Sequence, residues 1–209
     1  MRGKNNIQLY KKYYLDNENE NIGQFNILSE KFNVKRALYP GSFVHITPSF
    51  VFPEVTYIDT EKRAKAFFSD PQVGEYIRKR KLYSGDFNVN FIHEDYRENG
   101  LNITDQYDVL VSQYAGFISK YCTRYLKMGG FLLVNNSHGD AGMASIDKRY
   151  NLVGIFNRRG QKYSYSDKNL DSYFIPKKDM EITEKYLESL GRGIGYTKSP
   201  ASYLFKRIA

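Results

Sequence analysis

Apolar residues along the chain follow two spacings, one of three to four residues and one of two. The first is typical of amphipathic helices and the second of half-buried strands. The first spacing predicts helices over residues 22–32, 60–68, 71–81, 115–128 and 180–190. The second, with short unbroken apolar runs, predicts strands over residues 34–39, 55–59, 87–92, 107–112, 131–136, 150–156, 171–175 and 201–208, and a polar loop over residues 158–168. This alternation indicates an α/β fold: a Rossmann-like, mostly parallel sheet with helices on both faces and an antiparallel last strand.

Polar and small residues mark where the predicted helices begin and end. Thr60 and Asp70 precede two helices and can accept a hydrogen bond from a first-turn N–H group. Pro71 suits the first helical position, where no N–H donor is needed. For the helix over residues 180–190, we expect Asp179 as its N-cap and Gly191 just after its end.

The first 21 residues differ from the remainder of the chain. They end in a polar turn at residues 16–21, and no strand pattern occurs within them. We therefore expect an N-terminal arm over residues 1–21 and a single α/β domain over residues 22–209. The arm carries four apolar residues at helical spacing, which predict an amphipathic segment packed on the domain: Leu9, Tyr10, Tyr13 and Tyr14.

Composition narrows the class of protein. The chain has 209 residues with a single cysteine and three histidines, so a disulfide scaffold or a structural zinc site is disfavoured and we predict no metal site. No apolar run reaches the roughly 18 residues that a membrane span needs, and the start lacks the apolar core of a signal peptide. We expect a cytoplasmic protein with no membrane partner. Cys122 lies on the apolar face of a predicted helix and is expected in the core.

The net charge of +8 favours acidic partners. One dense basic run, Arg78, Lys79, Arg80 and Lys81, is a possible contact for nucleic acid. The same run falls at the end of a predicted helix, where cations complement the helix dipole.

Chemically suggestive residues follow four of the predicted strands. Gly41 comes after the first strand, Asp59 ends the second, Asp95 follows the third, and Ser112, Gln113 and Tyr114 end the fourth. In a parallel sheet, ligands bind at the carboxyl ends of the strands. A glycine permits close backbone approach to a ligand, and an acid at the next strand end can accept hydrogen bonds from ribose hydroxyls. The pattern predicts a nucleoside-binding edge.

The stretch Leu126-Lys127-Met128-Gly129-Gly130-Phe131-Leu132-Leu133-Val134, together with these strand ends, resembles the class I S-adenosylmethionine-dependent methyltransferases over about residues 22–208. The resemblance implies S-adenosylmethionine as cofactor, held by Gly41, Asp59, Asp95 and Ser112. Gly41 would contact the methionine end, Asp59 the ribose and Asp95 the adenine edge. The glycine-rich first motif is degenerate: its acid and its second and third glycines are replaced by Tyr39, Phe43 and His45.

The resemblance also implies a methyl acceptor at the end of the fourth strand. Gln113 and Tyr114 are the expected substrate contacts, and His138 and Tyr114 the expected catalytic residues, with His138 as general base. His138 also suits a polar turn beside Gly139. The Asn/Asp-Pro-Pro-Tyr/Phe motif of base-methylating relatives is absent, so the expected acceptor is a small molecule or a protein.

A second hypothesis keeps the fold without the catalysis. In it, the degenerate loop no longer holds cofactor, and the chain is a binding module for nucleic acid or an acidic partner. The contacts would be basic side chains: Arg78 to Lys81, Arg158, Arg159, Lys177 and Lys178.

Overall fold

The computed structural model describes residues 6–104 and 106–209, so the first five residues of the predicted arm lie outside it. Eight strands form one sheet: β1 Arg36–Pro40, β2 Glu54–Ile58, β3 Asn88–Ile92, β4 Tyr107–Ser112, β5 Leu126–Val134, β6 Tyr150–Arg159, β7 Lys162–Ser166 and β8 Ser202–Arg207. Their order in the sheet is β3-β2-β1-β4-β5-β8-β6-β7. The first five strands pair in parallel, whereas β8 is antiparallel to both β5 and β6, and β7 is antiparallel to β6. The predicted α/β class and the antiparallel last strand are confirmed.

Seven α-helices accompany the sheet within the described residues: α1 Ile7–Tyr10, α2 Ile22–Phe32, α3 Lys62–Phe68, α4 Pro71–Arg80, α5 Ile118–Cys122, α6 Asp140–Ile146 and α7 Glu184–Leu190. A π-helical turn, Lys11–Leu15, continues α1, and short 3-10 turns lie at Thr47–Phe50, Thr123–Tyr125 and Leu170–Ser172. Because side chains alternate along a strand, β4 sends Val109 and Val111 to one face and Leu110 to the other. Helices α1 to α4 cover the first face, and α5 and α6 cover the second.

Local chemistry explains the helix ends. The Asp70 side chain accepts a hydrogen bond from the Gln72 N–H at 2.9 Å, with Pro71 in the first turn, as predicted. Gly191 ends α7 with φ of +61°, a conformation that glycine adopts without strain. Two predicted N-caps are wrong. Glu61 rather than Thr60 caps α3, and Thr183 rather than Asp179 caps α7, so that helix begins four residues later than predicted.

The segment predicted as a helix over residues 115–128 is α-helical over only a third of its length, and a 3-10 turn follows. Only Ile118–Cys122 is α-helical, and β5 already begins at Leu126 instead of Phe131. Gly129 has φ of +76°, and the register between β4 and β5 shifts after the pair Tyr107 and Leu126. The periodic apolar residues therefore belong to a short helix and an irregular strand start.

The region predicted as a loop over residues 158–168 is instead the hairpin of β6 and β7. Arg159 pairs with Lys162, so Gly160 and Gln161 form a two-residue turn, and Gly160 has the positive φ that such turns need. The strand predicted over residues 171–175 is absent there, since residues 170–172 form a 3-10 turn. No helix among the described residues has the length and apolar character required to cross a membrane.

A half-buried carboxylate joins three strands near their starts. Asp108 on β4 accepts hydrogen bonds from the N–H groups of Lys35 at 2.8 Å and Arg36 at 2.9 Å, and it forms an ion pair with Lys127 at 2.6 Å. Burial by itself raises the pKa of Asp108, but the bonds from Lys127, Lys35 and Arg36 outweigh it, so the pKa lies below the ordinary value.

We expect Asp108→Asn to lower the free energy of unfolding at pH 7 by about 1.5–3 kcal/mol, the usual contribution of hydrogen bonds to a charged group. Because the folded-state pKa is depressed, this stabilisation is complete above the unfolded-state value of about 3.9 and is lost as pH falls through the folded-state pKa. Urea unfolding at pH 7 and near pH 3 should therefore give a difference from the unsubstituted chain that shrinks in acid. The exposed Asp86→Asn is the matched control, and an equal difference at both pH values would contradict the assignment.

Candidate functional site

A cavity of about 560 Å³ lies at the carboxyl ends of β1, β2, β3 and β4. Its walls are the loops that directly follow these strands, together with one residue from the first turn of α3 and one from the π-helical turn. The lining residues are Tyr13, Gly41, Phe43, Asp59, Thr60, Glu61, Arg63, Asp95, Tyr96, Arg97, Tyr114 and Ala115. The volume falls within the roughly 300–1,000 Å³ range of ligand pockets.

The parallel register brings these loops to one edge. Pro40 of β1 lies beside Ile58 of β2, and Ile58 lies beside Ile92 of β3. The residues that follow these three strands therefore lie at the same edge of the sheet, as the sequence pattern predicts for parallel strands. Among the predicted site residues, the structure brings Gly41, Asp59, Asp95 and Tyr114 to this cavity.

Asp59 holds two backbone segments at the centre of the cavity wall. One carboxylate oxygen, Oδ2, accepts the Phe43 N–H at 2.7 Å, and the other, Oδ1, accepts the Glu61 N–H at 2.8 Å. A carboxylate offers about four acceptor sites. Two hydrogen bonds therefore leave Asp59, which is half-buried, with acceptor capacity toward the cavity.

The two arginines of the cavity each pair with a carboxylate two residues earlier. Arg97 contacts Asp95 at 2.5 Å, and Arg63 contacts Glu61 at 2.9 Å. The hydrogen bonds from the Arg97 side chain hold the pKa of Asp95 below its ordinary value, although burial opposes them. Both Asp95 oxygens accept from Arg97, so another donor at Asp95 competes with this guanidinium.

Aromatic side chains form a further part of the cavity wall. Tyr13 and Phe43 meet edge to face with ring centroids 5.3 Å apart, and Arg63 lies over the Phe43 ring at 5.0 Å. Phe43 has φ of +48°, a conformation that is costly for an aromatic residue. Tyr114 completes the wall and is 39% exposed.

A buried histidine supports this wall from behind. His45 stacks on Tyr14 with ring centroids 4.3 Å apart and meets Tyr114 edge to face at 5.7 Å. Its Nε2 lies 3.0 Å from the Glu20 carbonyl, which can only accept, so Nε2 carries the proton and Nδ1 accepts from the Tyr39 hydroxyl. Burial lowers the pKa of His45 to about 4. His45 is thus a neutral packing residue.

Asn21 positions Tyr114. Its side-chain amide donates to the Tyr114 hydroxyl at 3.2 Å, and its carbonyl oxygen accepts from the Tyr163 hydroxyl at 2.7 Å. Arg158, at the hairpin of β6 and β7, donates to the Glu18 carbonyl at 2.6 Å. Burial raises the pKa of Tyr114, so its hydroxyl stays protonated at neutral pH.

Ser112 lies below the cavity and does not line it. Its hydroxyl donates to Asp140 Oδ2 at 2.5 Å, and the Ser119 hydroxyl donates to Asp140 Oδ1 at 2.5 Å. Burial raises the pKa of Asp140, partly offset by these hydrogen bonds. The Asp140 carboxylate therefore ties the end of β4 to the start of α5.

Gln113 and His138 also lie outside the cavity lining. The Gln113 side chain is buried, and its Oε1 lies 3.5 Å from the Asn21 amide. His138 is exposed and contacts the Ser137 hydroxyl through Nδ1 at 2.9 Å. Ser137 in turn donates to the Gln113 carbonyl at 3.1 Å. His138 thus stands beside the loop that follows β4, at its outer side.

Other reactive side chains are engaged elsewhere. Cys122 is buried, and burial raises the pKa of its thiol to about 12, which agrees with a core role. In the basic run, Arg80 pairs with Glu20 at 2.5 Å, and Lys81 donates to the Tyr83 carbonyl at 2.9 Å. Arg78 and Lys79 are exposed. Arg78 also lies over the Phe87 ring at 5.6 Å, so three of the four residues in the run make contacts within the chain.

Several cavity residues were not among those predicted from the sequence: Tyr13, Phe43, Thr60, Glu61, Arg63, Tyr96, Arg97 and Ala115. A signal existed for the two arginines, because each follows a carboxylate by two residues just after a strand. No sequence signal links Tyr13 to the strand ends, since its segment reaches them only through tertiary packing.

No protein-family model and no curated protein matches this chain. Solved structures do resemble it. The N-methyltransferase NodS from Bradyrhizobium japonicum WM9, crystallised with S-adenosyl-L-homocysteine, has a TM-score of 0.50 at 13% identity, over 98% of this chain and 99% of its own.

Two further structures give the same TM-score of 0.50. A Klebsiella pneumoniae protein assigned as an O-methyltransferase is 10% identical over 69% of this chain and 76% of its own. TehB from Haemophilus influenzae is 14% identical over 90% of this chain and 62% of its own. At such identities the likeness concerns the fold alone, and by that measure this chain has a methyltransferase-type Rossmann-like fold.

Proposed function

We propose that this chain is an S-adenosylmethionine-dependent methyltransferase that acts on a small-molecule or protein acceptor. The observation that supports this most directly is Asp59: a carboxylate at the end of β2, on the wall of a 560 Å³ cavity, with acceptor capacity left over. The fold of the structural neighbours agrees with it.

The residues fit the nucleoside half of such a cofactor. A ribose presents two adjacent hydroxyls, and the Asp59 carboxylate can accept from both beside its two backbone donors. Asp95 would face the exocyclic amine of adenine, where an amino donor shares the carboxylate with Arg97. These assignments use side chains that already line one cavity.

The loop after β1 would contact the cofactor in a different way from the glycine-rich loop of the family. Gly41 has φ of +63°, and a Cβ at this position would lie 2.2 Å from the Cβ of Ala115. The missing side chain therefore lets the loops after β1 and β4 touch. Phe43, at the second glycine position of the family motif, presents an aromatic ring to the cavity instead of open backbone.

When bound, S-adenosylmethionine supplies a methyl group on a positively charged sulfur. The residues of this chain would then orient the acceptor, with Tyr114 beside the end of β4 and His138 as the candidate base on the outer side of the same loop. Since Tyr114 stays protonated at neutral pH, its hydroxyl acts as a hydrogen-bonding group and does not remove the acceptor proton.

Asp59→Ala should weaken the binding of S-adenosylhomocysteine by about tenfold or more, because hydrogen bonds to a charged group contribute about 1.5–3 kcal/mol and 1.4 kcal/mol corresponds to tenfold. Calorimetric titration measures this directly. Asp70→Ala is the matched control, since Asp70 also accepts a backbone N–H but lies away from the cavity. Unchanged affinity in a folded Asp59→Ala chain would refute the site.

Gly41→Ala should destabilise the chain by about 1–3 kcal/mol through overpacking against Ala115 and by a further 1–2 kcal/mol, roughly, through left-handed backbone. Combining Gly41→Ala with Ala115→Gly should recover the stability lost to overpacking and should not recover the stability lost to the left-handed backbone. Gly85→Ala isolates the backbone cost, because Gly85 has φ of +80° and open space around it. Urea unfolding of the three variants measures both contributions, and no recovery in the double variant would contradict the packing argument.

A further inference from the structure

The cavity has two chemically different halves, which meet where Arg63 lies over the Phe43 ring and hydrogen-bonds Tyr13. The loops after β2 and β3 and the first turn of α3 contribute all of its charged side chains: Asp59, Glu61, Arg63, Asp95 and Arg97. The other half is built by the π-helical turn and the loops after β1 and β4, and its side chains are aromatic or small: Tyr13, Phe43, Tyr114, Gly41 and Ala115. If the proposed function holds, the nucleoside occupies the charged half and the methionine end of the cofactor lies at Gly41, so the ring surfaces of Tyr13 and Tyr114 are left to the acceptor.

The aromatic half offers exposed ring surface on rigid support. Tyr13 is 41% exposed and Tyr114 is 39% exposed, and among the described aromatic residues only Tyr186 is comparably exposed. Phe43 braces Tyr13, and His45 and Tyr14 brace Tyr114, with ring centroids between 5.3 and 6.1 Å apart. Rings fixed in this way bind a planar partner without losing further side-chain entropy.

The charges of the cavity disfavour an anionic ligand. Three carboxylates face two guanidiniums, and each guanidinium is already paired, Arg63 with Glu61 and Arg97 with Asp95. Asp59 carries the remaining negative charge. The cavity is therefore slightly negative although the chain as a whole has a net charge of +8.

We propose that the acceptor is a small, uncharged aromatic molecule whose ring stacks on Tyr13 and Tyr114. This inference rests on the proposed function and specifies its substrate class. Methylation of a hydroxyl on such a ring forms one C–O bond and breaks the sulfonium C–S bond with its electron pair left on sulfur. The hydroxyl proton passes through water to His138, the candidate base, which lies outside the cavity lining.

The test uses phenol as the probe and measures its dissociation constant by ligand-observed NMR titration on the full chain, with and without S-adenosylhomocysteine. Phenol should bind more tightly than cyclohexanol, which has the same hydroxyl without the flat ring, and more tightly than benzoate, which adds a negative charge. Tyr13→Leu and Tyr114→Leu should each raise the dissociation constant of phenol by about 3-fold to 10-fold, the range expected for the loss of one aromatic contact.

Three further variants keep the result interpretable. Tyr13→Phe and Tyr114→Phe retain the rings and should retain phenol binding. Tyr186→Leu removes a tyrosine on α7 that is 37% exposed and lies away from the cavity. This substitution should leave the dissociation constant of phenol unchanged. Equal binding of phenol and cyclohexanol, or an equal loss in Tyr186→Leu, would overturn the proposal.

Calorimetry with S-adenosylhomocysteine separates this proposal from the proposed function. If S-adenosylhomocysteine binds while phenol and cyclohexanol bind equally, the proposed acceptor class is wrong and the proposed cofactor site is still supported. If phenol binds through Tyr13 and Tyr114 while S-adenosylhomocysteine does not bind, the aromatic binding site is supported and the proposed methyl transfer is refuted.

Discussion

The geometry of the cavity depends on one carboxylate. Asp59 accepts the N–H of Phe43 from the loop after β1 and the N–H of Glu61 from its own loop, so two chain segments are fixed relative to each other by a single side chain. This contact also sets the position of Phe43, whose left-handed backbone is costly for an aromatic residue. Phe43 in turn supports Tyr13 and lies beneath Arg63. A change at Asp59 would therefore alter both the polar and the aromatic wall.

Much of the fold could be predicted because its signals are local. The helix over residues 22–32 has an unbroken apolar face and coincides with α2, and the Asp70 cap followed by Pro71 marks the start of α4. The strand pattern up to β4 gives the parallel sheet, and parallel order alone implies that Gly41, Asp59, Asp95 and Tyr114 approach one edge. Local periodicity and topology together were enough for that arrangement.

The remaining features depend on tertiary contacts that a single sequence does not encode locally. The tyrosines of β7 alternate with polar residues and pack on other elements: Tyr163 lies against Gly23, and Tyr165 covers Gly154. Neither contact can be read from the polar stretch itself. Similarly, Ser112 and Asp140 are 28 residues apart, and only the folded chain shows that the serine hydroxyl is used inside the core rather than at the cavity.

The hydrogen bonds of Asn21 have a consequence for how the molecule is made. Asn21 meets Gln113 and Tyr114 more than 90 positions later in the chain, and it meets Tyr163 at a separation of 142 residues. During synthesis from the N-terminus, the contact of Tyr13 with Phe43 can form early, whereas Asn21 gains its last partner only once β7 has been translated. The hydrogen-bonded support of Tyr114 by Asn21 is therefore completed late in synthesis, after the strands that precede Asp59 and Asp95 are available to pair.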